Sequence, residues 1–267
     1  MTAVVDTLSD GAVVAKRNLI KIKRVPELLV FTTIQPIMFI LLFAYVFGSA
    51  IDLDGIDYRE FLIAGIFAQT VVFGATFTGA GIADDMQKGI IDRFRSLPMS
   101  RSSVLIGRTS SDIALNALSI TVMSLTGLLV GWRIRESFLE AVAGFALLLL
   151  FAYAISWIMA YVGLLVPTPE VVQNASFVLL FPATFIANTF VPTDNFPSVL
   201  RTIADWNPVS TLTQATRELF GNTSPALPAP EAWPMQNPVV YTLLWVAGIL
   251  LVFVPLATWQ YKRAAST

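Results

Sequence analysis

Long apolar stretches, broken by short charged segments, run along this chain from residue 28 to residue 259. A helix needs roughly 20 mostly apolar residues to cross the hydrocarbon core of a bilayer. Six stretches reach that length: 28–50, 61–82, 104–131, 138–166, 171–191 and 239–259. Lipid offers a backbone no hydrogen-bond partner, so each stretch is expected to satisfy its own amides as a helix. The pattern predicts an all-α membrane protein with six transmembrane helices, forming one membrane domain over residues 1–267. The third and fourth stretches exceed the minimum, which leaves room for tilt or for ends that protrude into water. The first apolar run begins only at Leu28. A cleavable signal would lie earlier, so the first span is expected to act as its own insertion signal.

The segments between the spans carry patterns of their own. In residues 1–27, Leu8, Ala12, Ala15, Leu19 and Ile22 recur at helical spacing, with Arg17, Lys21 and Arg24 opposite. That is an amphipathic helix suited to lying in a membrane surface; the plainer reading is a basic tail that only sets topology. In the loop 83–103, Ile90, Phe94 and Leu97 share one helical face at i, i+4, i+7 between Gly89 and Pro98, with Asp92, Arg93 and Arg95 around it. A short helix of this kind is a docking element for a protein groove, although its apolar residues would also suit the bilayer surface. In residues 192–238, Phe196, Leu200 and Ile203 form a ridge with Pro197 in the first turn. A second helix is expected from Val209 to Phe220, with Leu212, Thr216 and Leu219 on one face and Gly221 as its stop. These helices are too short to span. Re-entrant elements and a cap above the membrane both fit the pattern.

Charge placement sets the orientation. Twelve of the 17 basic residues fall in the N-terminal tail, in the loop after the second span with Arg108 just beyond it, and in the C-terminal tail. Arg59, Arg133, Arg135, Arg201 and Arg217 fall on the other side, whose loops also carry Asp52, Asp54 and Asp57. Lys and Arg favour the cytoplasmic face, so both termini are expected in the cytoplasm. The expected location is the plasma membrane, as a multi-pass protein of a bacterial inner membrane.

Composition removes several function classes. Hydrophobic residues make up 55% and charged residues 13%, against about 25% charged in soluble chains. The net charge of −1 gives no basic field for nucleic acid. There is no cysteine and no histidine, so disulfides, thiolates and the commonest general base and metal ligand are missing. No GxxxxGK[ST] phosphate loop occurs, and no lysine is followed by Ser or Thr. No catalytic residue, metal site or cofactor is expected in this chain.

Polarity inside the spans is concentrated. The first carries Gln35 beside Pro36, the third Asp112, Asn116 and Ser119, and the fifth Gln173, Asn174, Ser176, Thr184, Asn188 and Thr189 around Pro182. An intramembrane carboxylate suggests function by default. Arg108 stands one turn before Asp112, however, so an i, i+4 ion pair near the cytoplasmic interface is the favoured reading. The pairs Gly127–Gly131 and Ala75–Gly79 suit close helix packing.

The order of an interfacial helix, two spans, a cytoplasmic loop, three spans, an external helical segment and a last span resembles the membrane subunits of ABC type-2 exporters. "DDMQKGIIDRFRSLPMSRSSVLIGR", Asp84 to Arg108, is similar to that family's coupling loop. "FPATFIANTFVPTDNFPSVLRTIADWNPVSTLTQATREL", Phe181 to Leu219, is similar to its signature around the fifth span. The nearest branch is the daunorubicin/doxorubicin-resistance-type permeases. The family often has a Glu early in the loop, where Asp84 and Asp85 stand here. The resemblance implies a non-catalytic permease subunit that pairs with a second permease, either another copy or a related chain. Each would dock one separate ATPase, two per complex, with ATP and Mg bound in those subunits. Gly89, Ile90, Ile91, Arg93, Phe94 and Leu97 would contact the ATPase. An amphipathic or lipid-like substrate, such as a drug, natural product or glycolipid, would move outward along spans one, two and five. Gln35, Asn174, Phe177, Phe181 and Asn188 are the candidates for that path. An ion-coupled carrier of hydrophobic compounds is the alternative; it would need buried titrating charges, and Asp112 is the main candidate. A membrane-bound enzyme is opposed by the absence of His and Cys.

Overall fold

The computed structural model describes residues 10–18, 20, 26–48, 51, 53, 55–91, 101–194, 196–226 and 229–263. The described residues are almost entirely helical, and the one strand-like pairing among them is an isolated bridge between Leu53 and Ile56. In chain order the helices are α1 (residues 10–18), α2 (Pro26–Leu42), α3 (Tyr58–Gly74), α4 (Thr76–Gln87), α5 (Arg101–Val130), α6 (Phe138–Leu165) and α7 (Pro169–Phe185). There follow α8 (Ser198–Asp205), α9 (Pro208–Phe220), α10 (Trp233–Gln236) and α11 (Pro238–Arg263). A π-helical turn, Phe43–Phe47, extends α2.

Local signals start and stop these helices where the chain demands it. The Asp57 side chain caps α3 by accepting from the Arg59 N–H at 2.8 Å. Ser137 and Glu140 form a reciprocal capping box on α6. Gly221 ends α9 in the left-handed region at φ 69°, and the Asn222 N–H donates back to the Arg217 carbonyl at 2.8 Å. A residue with a β-carbon is strained at that angle, which is why the stop is glycine.

Four of the described helical runs are long and apolar enough to cross a membrane: Tyr58–Gln87, Ser103–Val130, Phe138–Leu165 and Pro238–Arg263. The first expected span falls on a shorter apolar run, Thr33–Phe47. The fifth was expected to reach residue 191, but α7 ends at Phe185 after 17 residues. The backbone beyond it is taken by side chains of α9. The Asn188 N–H donates to Ser210 Oγ at 3.2 Å, and the Asn188 and Thr189 carbonyls accept from Arg217. Groups satisfied in this way have no need of a helical partner.

The bundle is built around α3. Leu62, Ile63, Phe67 and Val71 are fully buried, and 72% of the most apolar window of Tyr58–Gln87 is covered, against 17% for α11 at the periphery. Helix α4 meets α6 at its glycines: a β-carbon on Gly79 would lie 2.6 Å from the Met159 carbonyl, and one on Gly163 would lie 2.4 Å from the Gly79 carbonyl. Gly79 thus serves close packing, as its spacing suggested. Gly131 does not; it ends α5 at φ 111°.

A second cluster closes one end of the bundle. Ile82, Ile91, Leu105, Trp157, Ala257 and Tyr261 pack there, which brings the end of α4, the start of α5 and the end of α11 together. The N-terminal helix joins the same end through an Arg17–Asp85 ion pair at 3.0 Å and an Asn18–Ser111 hydrogen bond at 3.3 Å. Its buried face is Gly11, Val14 and Asn18, one residue out of register with the expected stripe. Ala12 remains exposed and Ala15 half-buried, because α1 turns Val14 onto α5. Leu8, Leu19, Lys21, Ile22 and Arg24 lie outside the described residues.

Candidate functional site

A cavity of about 550 Å³ opens between α2, α3, α4, α5 and α7. Two of its walls differ in kind. One is aromatic: Phe177, Phe181 and Phe185 stack down α7 at one-turn spacing, with centroids 4.9 and 4.1 Å apart. The ladder continues through Phe190 at 4.9 Å to Phe43 at 4.6 Å and on to Phe39. Phe39, Phe177, Phe181 and Phe185 face the cavity. The other is mixed: Gln69 and Thr70 from α3 and Asp112, Asn116 and Ser119 from α5 stand among Ile66, Phe73 and Leu115. Gln35 and Gln173 stand on the helices that carry the aromatics. A flat apolar surface opposite scattered amides and hydroxyls suits a solute with one greasy and one polar side.

Asp112 closes the mixed wall and is 2% exposed. It accepts from the Thr78 hydroxyl and lies 3.5 Å from Arg108 Nε as an i, i+4 ion pair. Arg108 also donates to the Phe77 carbonyl at 2.8 Å. Of the path candidates, Gln35, Phe177 and Phe181 line this cavity. Asn174 is exposed and not on its wall. Asn188 lines a separate, charged pocket of about 330 Å³ at the far end of the bundle.

That far end contains a residue the sequence reading passed over. Arg217 is 2% exposed. Its Nε donates to the Phe61 carbonyl at 3.0 Å and one terminal nitrogen donates to the Asn188 carbonyl at 2.7 Å, with Thr189 O at 3.4 Å. The guanidinium carbon sits 3.5 Å from the centre of the Phe61 ring. Burial pushes its pKa down to about 9, so it stays cationic at neutral pH. The one legible signal was its place in the expected helix Val209–Phe220, where it is the single basic residue. Gly65 lets α3 approach the same break, since a β-carbon there would lie 1.9 Å from the Thr189 carbonyl. Nearby, Arg135 forks onto Glu60 with its closest contact at 2.6 Å, and Trp132 Nε1 donates to Asn222 at 2.7 Å.

Of the docking candidates, Gly89 turns the chain at φ 64° after α4, and Ile90 and Ile91 resume helical geometry. Ile91 faces the bundle and is 8% exposed, whereas Ile90 is half-buried with surface to offer. Arg93, Phe94 and Leu97 lie outside the described residues. Asp84 pairs with Lys88 at 2.7 Å. The hydrogen bond and charge of Asp84 raise the Lys88 pKa.

The profile of the family described as "ABC-2 type transporter" matches residues 11–220. The chain belongs to that family. Its relatives include the daunorubicin resistance ABC transporter permease protein DrrB1 of Streptomyces coeruleorubidus, 32% identical over 92% of this chain and 84% of that one. The probable doxorubicin resistance ABC transporter permease protein DrrC of Mycobacterium tuberculosis is 26% identical over 87% of this chain and 81% of that one. A putative transport permease, ycf38, of Cyanophora paradoxa is 27% identical over 79% and 74%. As an ABC-2 transporter with several membrane-length apolar helices, the chain is a multi-pass membrane protein. The loop from Asp84, the cavity walls on α2, α3, α5 and α7, and the Arg217 site all fall within the matched residues.

Proposed function

We propose that this chain is the permease subunit of an ATP-driven exporter, and that it moves an amphipathic substrate outward through the cavity between α2, α3, α5 and α7. The observation that carries the reading is a cavity of about 550 Å³ lined by the aromatic ladder of α7 and by polar side chains of α3 and α5. A polycyclic drug or a lipid-like molecule would lay its flat or acyl part on the phenylalanines and turn its polar groups to Gln69, Asn116 and Ser119. Anthracycline-resistance permeases among the relatives support the drug end of that range. Six crossings with both termini in the cytoplasm fit the basic residues Arg17, Lys88, Arg108, Lys262 and Arg263, whose segments gather at one end of the bundle. Ile90 and the residues after it would meet one ATPase per permease, with ATP and Mg held by that partner. A second permease, a copy or a relative, would face the exposed side of Phe177 and Ile34.

The test is transport in proteoliposomes holding this chain and its ATPase, with daunorubicin as the solute. The double change Ile90→Asp, Phe94→Asp is expected to release the ATPase and stop ATP-dependent uptake. Phe177→Ala with Phe181→Ala is expected to raise the apparent KM while ATPase docking survives. Unchanged transport by either pair would overturn the corresponding assignment. The ion-coupled alternative rests mainly on Asp112. Asp112→Asn keeps the Thr78 contact but leaves Arg108 without its counter-charge, so it is combined with Arg108→Gln; the exporter reading expects the double variant to transport, whereas a proton carrier would lose transport.

A further inference from the structure

The apolar run Tyr58–Gln87 has the length of one span, yet it forms two helices: α3 stops at Gly74 and α4 starts at Thr76. Neighbouring residues give little cause for the break. There is no proline between 58 and 87, no left-handed residue at 74–76 and no side-chain cap on α4. The junction residue, Ala75, is fully buried, and its carbonyl accepts a tight i+3 bond from the Thr78 N–H at 3.0 Å. A helix interrupted without a proline is bent by what inserts or packs against it.

What packs there is a polar seam. Arg108, Asp112 and Asn116 stand at i, i+4 and i+8 on one face of α5. They meet residues 81, 78 and 74, which share a face across the break. A β-carbon on Gly81 would lie 2.0 Å from an Arg108 terminal nitrogen, and that nitrogen donates to the Phe77 carbonyl at 2.8 Å. Thr78 donates to Asp112. A β-carbon on Gly74 would lie 2.5 Å from Asn116 Oδ1. Two buried atoms beside the break make no hydrogen bond, Thr76 Oγ1 and Arg108 Nε. Buried polar atoms left so raise the energy of this arrangement, which lets a second one compete with it.

The two halves are held by different parts of the bundle. Helix α3 is tied to the far end, where Arg217 takes the Phe61 carbonyl, Arg135 takes Glu60, and Gly65 lies on the Thr189 carbonyl. Helix α4 meets α6 backbone to backbone through Gly79 and Gly163, a contact in which no side chains interlock. Its first turns place Thr76, Phe77 and Ala80 on the main cavity. Its last turn carries Asp85, paired with Arg17, and leads through Gly89 into Ile90.

We propose that α4 is a lever hinged at Gly74–Thr76. It swings over the smooth glycine contact with α6 while α3 stays with the far end, and through Phe77 and Ala80 its swing sets the width of the cavity beside Asp112. A hinge is a few residues that absorb the backbone change between two packed arrangements. That the swing is driven from Ile90 rests on the ATPase docking proposed above; the hinge itself does not.

The chain has no cysteine, so pairs of spin labels report both ends of the run without further changes. Gln87→Cys with Lys262→Cys reads the end of α4 against the end of α11. Asp57→Cys with Phe138→Cys reads the start of α3 against the start of α6. All four positions are exposed. Distances are measured by pulsed EPR in nanodiscs, for the full chain alone and for its complex with the ATPase trapped by ATP and vanadate. The 87–262 distribution is expected to be broad or double in the chain alone and to narrow to one component in the trapped complex, while 57–138 stays single and fixed. A straight rod pivoting in the bundle would move both pairs together, and that result would overturn the hinge. One narrow 87–262 distance, the same in both samples, would overturn it equally. An ATPase that fails to co-elute would strike the docking reading, and the distribution in the chain alone would still decide the hinge. The double change Gly74→Ala, Asn116→Ser gives the new methyl room and favours unbroken helix. It is expected to narrow the 87–262 distribution and to lower kcat for transport several-fold below that of Asn116→Ser, with KM unchanged. Turnover equal to that of Asn116→Ser would overturn the lever.

Discussion

Arg108 and Arg217 are both drawn out of water at opposite ends of the bundle, and they are compensated by different means. Arg108 lies beside the junction of α3 and α4, where it reaches one backbone carbonyl, that of Phe77, at 2.8 Å. It is paired with a carboxylate, Asp112, which Thr78 holds in place. Arg217 lies against a chain that has left the helix, where the carbonyls of residues 188 and 189 are free to accept. It needs no carboxylate at contact distance, because those carbonyls, the Phe61 carbonyl and the Phe61 ring take its charge. A buried cation is satisfied by whatever the local backbone leaves over. At the end where α1 and the end of α11 meet, compensation came from a second charged side chain. At the other end, the same arginine that is stabilised by the broken segment also stabilises the break.

The contrast can be broken by substitution. The largest effect is expected at Asp112→Ala, which leaves Arg108 buried beside no counter-charge and should cost about 3–5 kcal/mol of unfolding free energy in mixed micelles. The double change Arg108→Leu, Asp112→Leu should recover most of that loss, and failure to recover would show that the pair is not the unit. Arg217→Ala comes next at about 3 kcal/mol, from three carbonyls losing a donor at roughly 1 kcal/mol each. No second change should rescue it, since its partners are backbone. Arg217→Lys should restore only part of the stability and of the transport, because an ammonium lacks the fork that reaches several carbonyls. Gly65→Ala should cost about 1–3 kcal/mol by pushing the Thr189 carbonyl away from α3. Its signature would be a single cysteine at 188 becoming more reactive to an impermeant maleimide. The smallest effect belongs to Arg17→Ala. Its side chain is 35% exposed, so the loss of the Asp85 contact should stay under about 1 kcal/mol.

The helices were legible because membrane-length apolar runs and local stop signals are written in neighbouring residues. Gly221, Asn207 and the Ser137–Glu140 pair each act within four positions, and the Asp112–Arg108 pairing was readable for the same reason. The early end of α7 was not, because its cause lies in α9, more than twenty residues later in the chain. The bundle-facing side of α1 was not legible, because Val14 is chosen by the surface of α5 and not by the helix's own stripe. Of the five path candidates, Gln35, Phe177 and Phe181 share the main cavity, while polarity alone also selected Asn174 and Asn188, which point elsewhere.

By itself the sequence determined that this is an all-helical chain with several membrane-length apolar segments and no phosphate loop of its own, since those properties follow from composition and from contacts within a few residues. Only the tertiary structure decided that the phenylalanines of α7 form one wall of a cavity opposite α3 and α5. The same holds for the charge of Arg217, which is spent on carbonyls, and for the break between α3 and α4, which α5 packs against. Each depends on which helix lies beside which, and that is set by packing between residues far apart in the chain, where periodicity carries no signal.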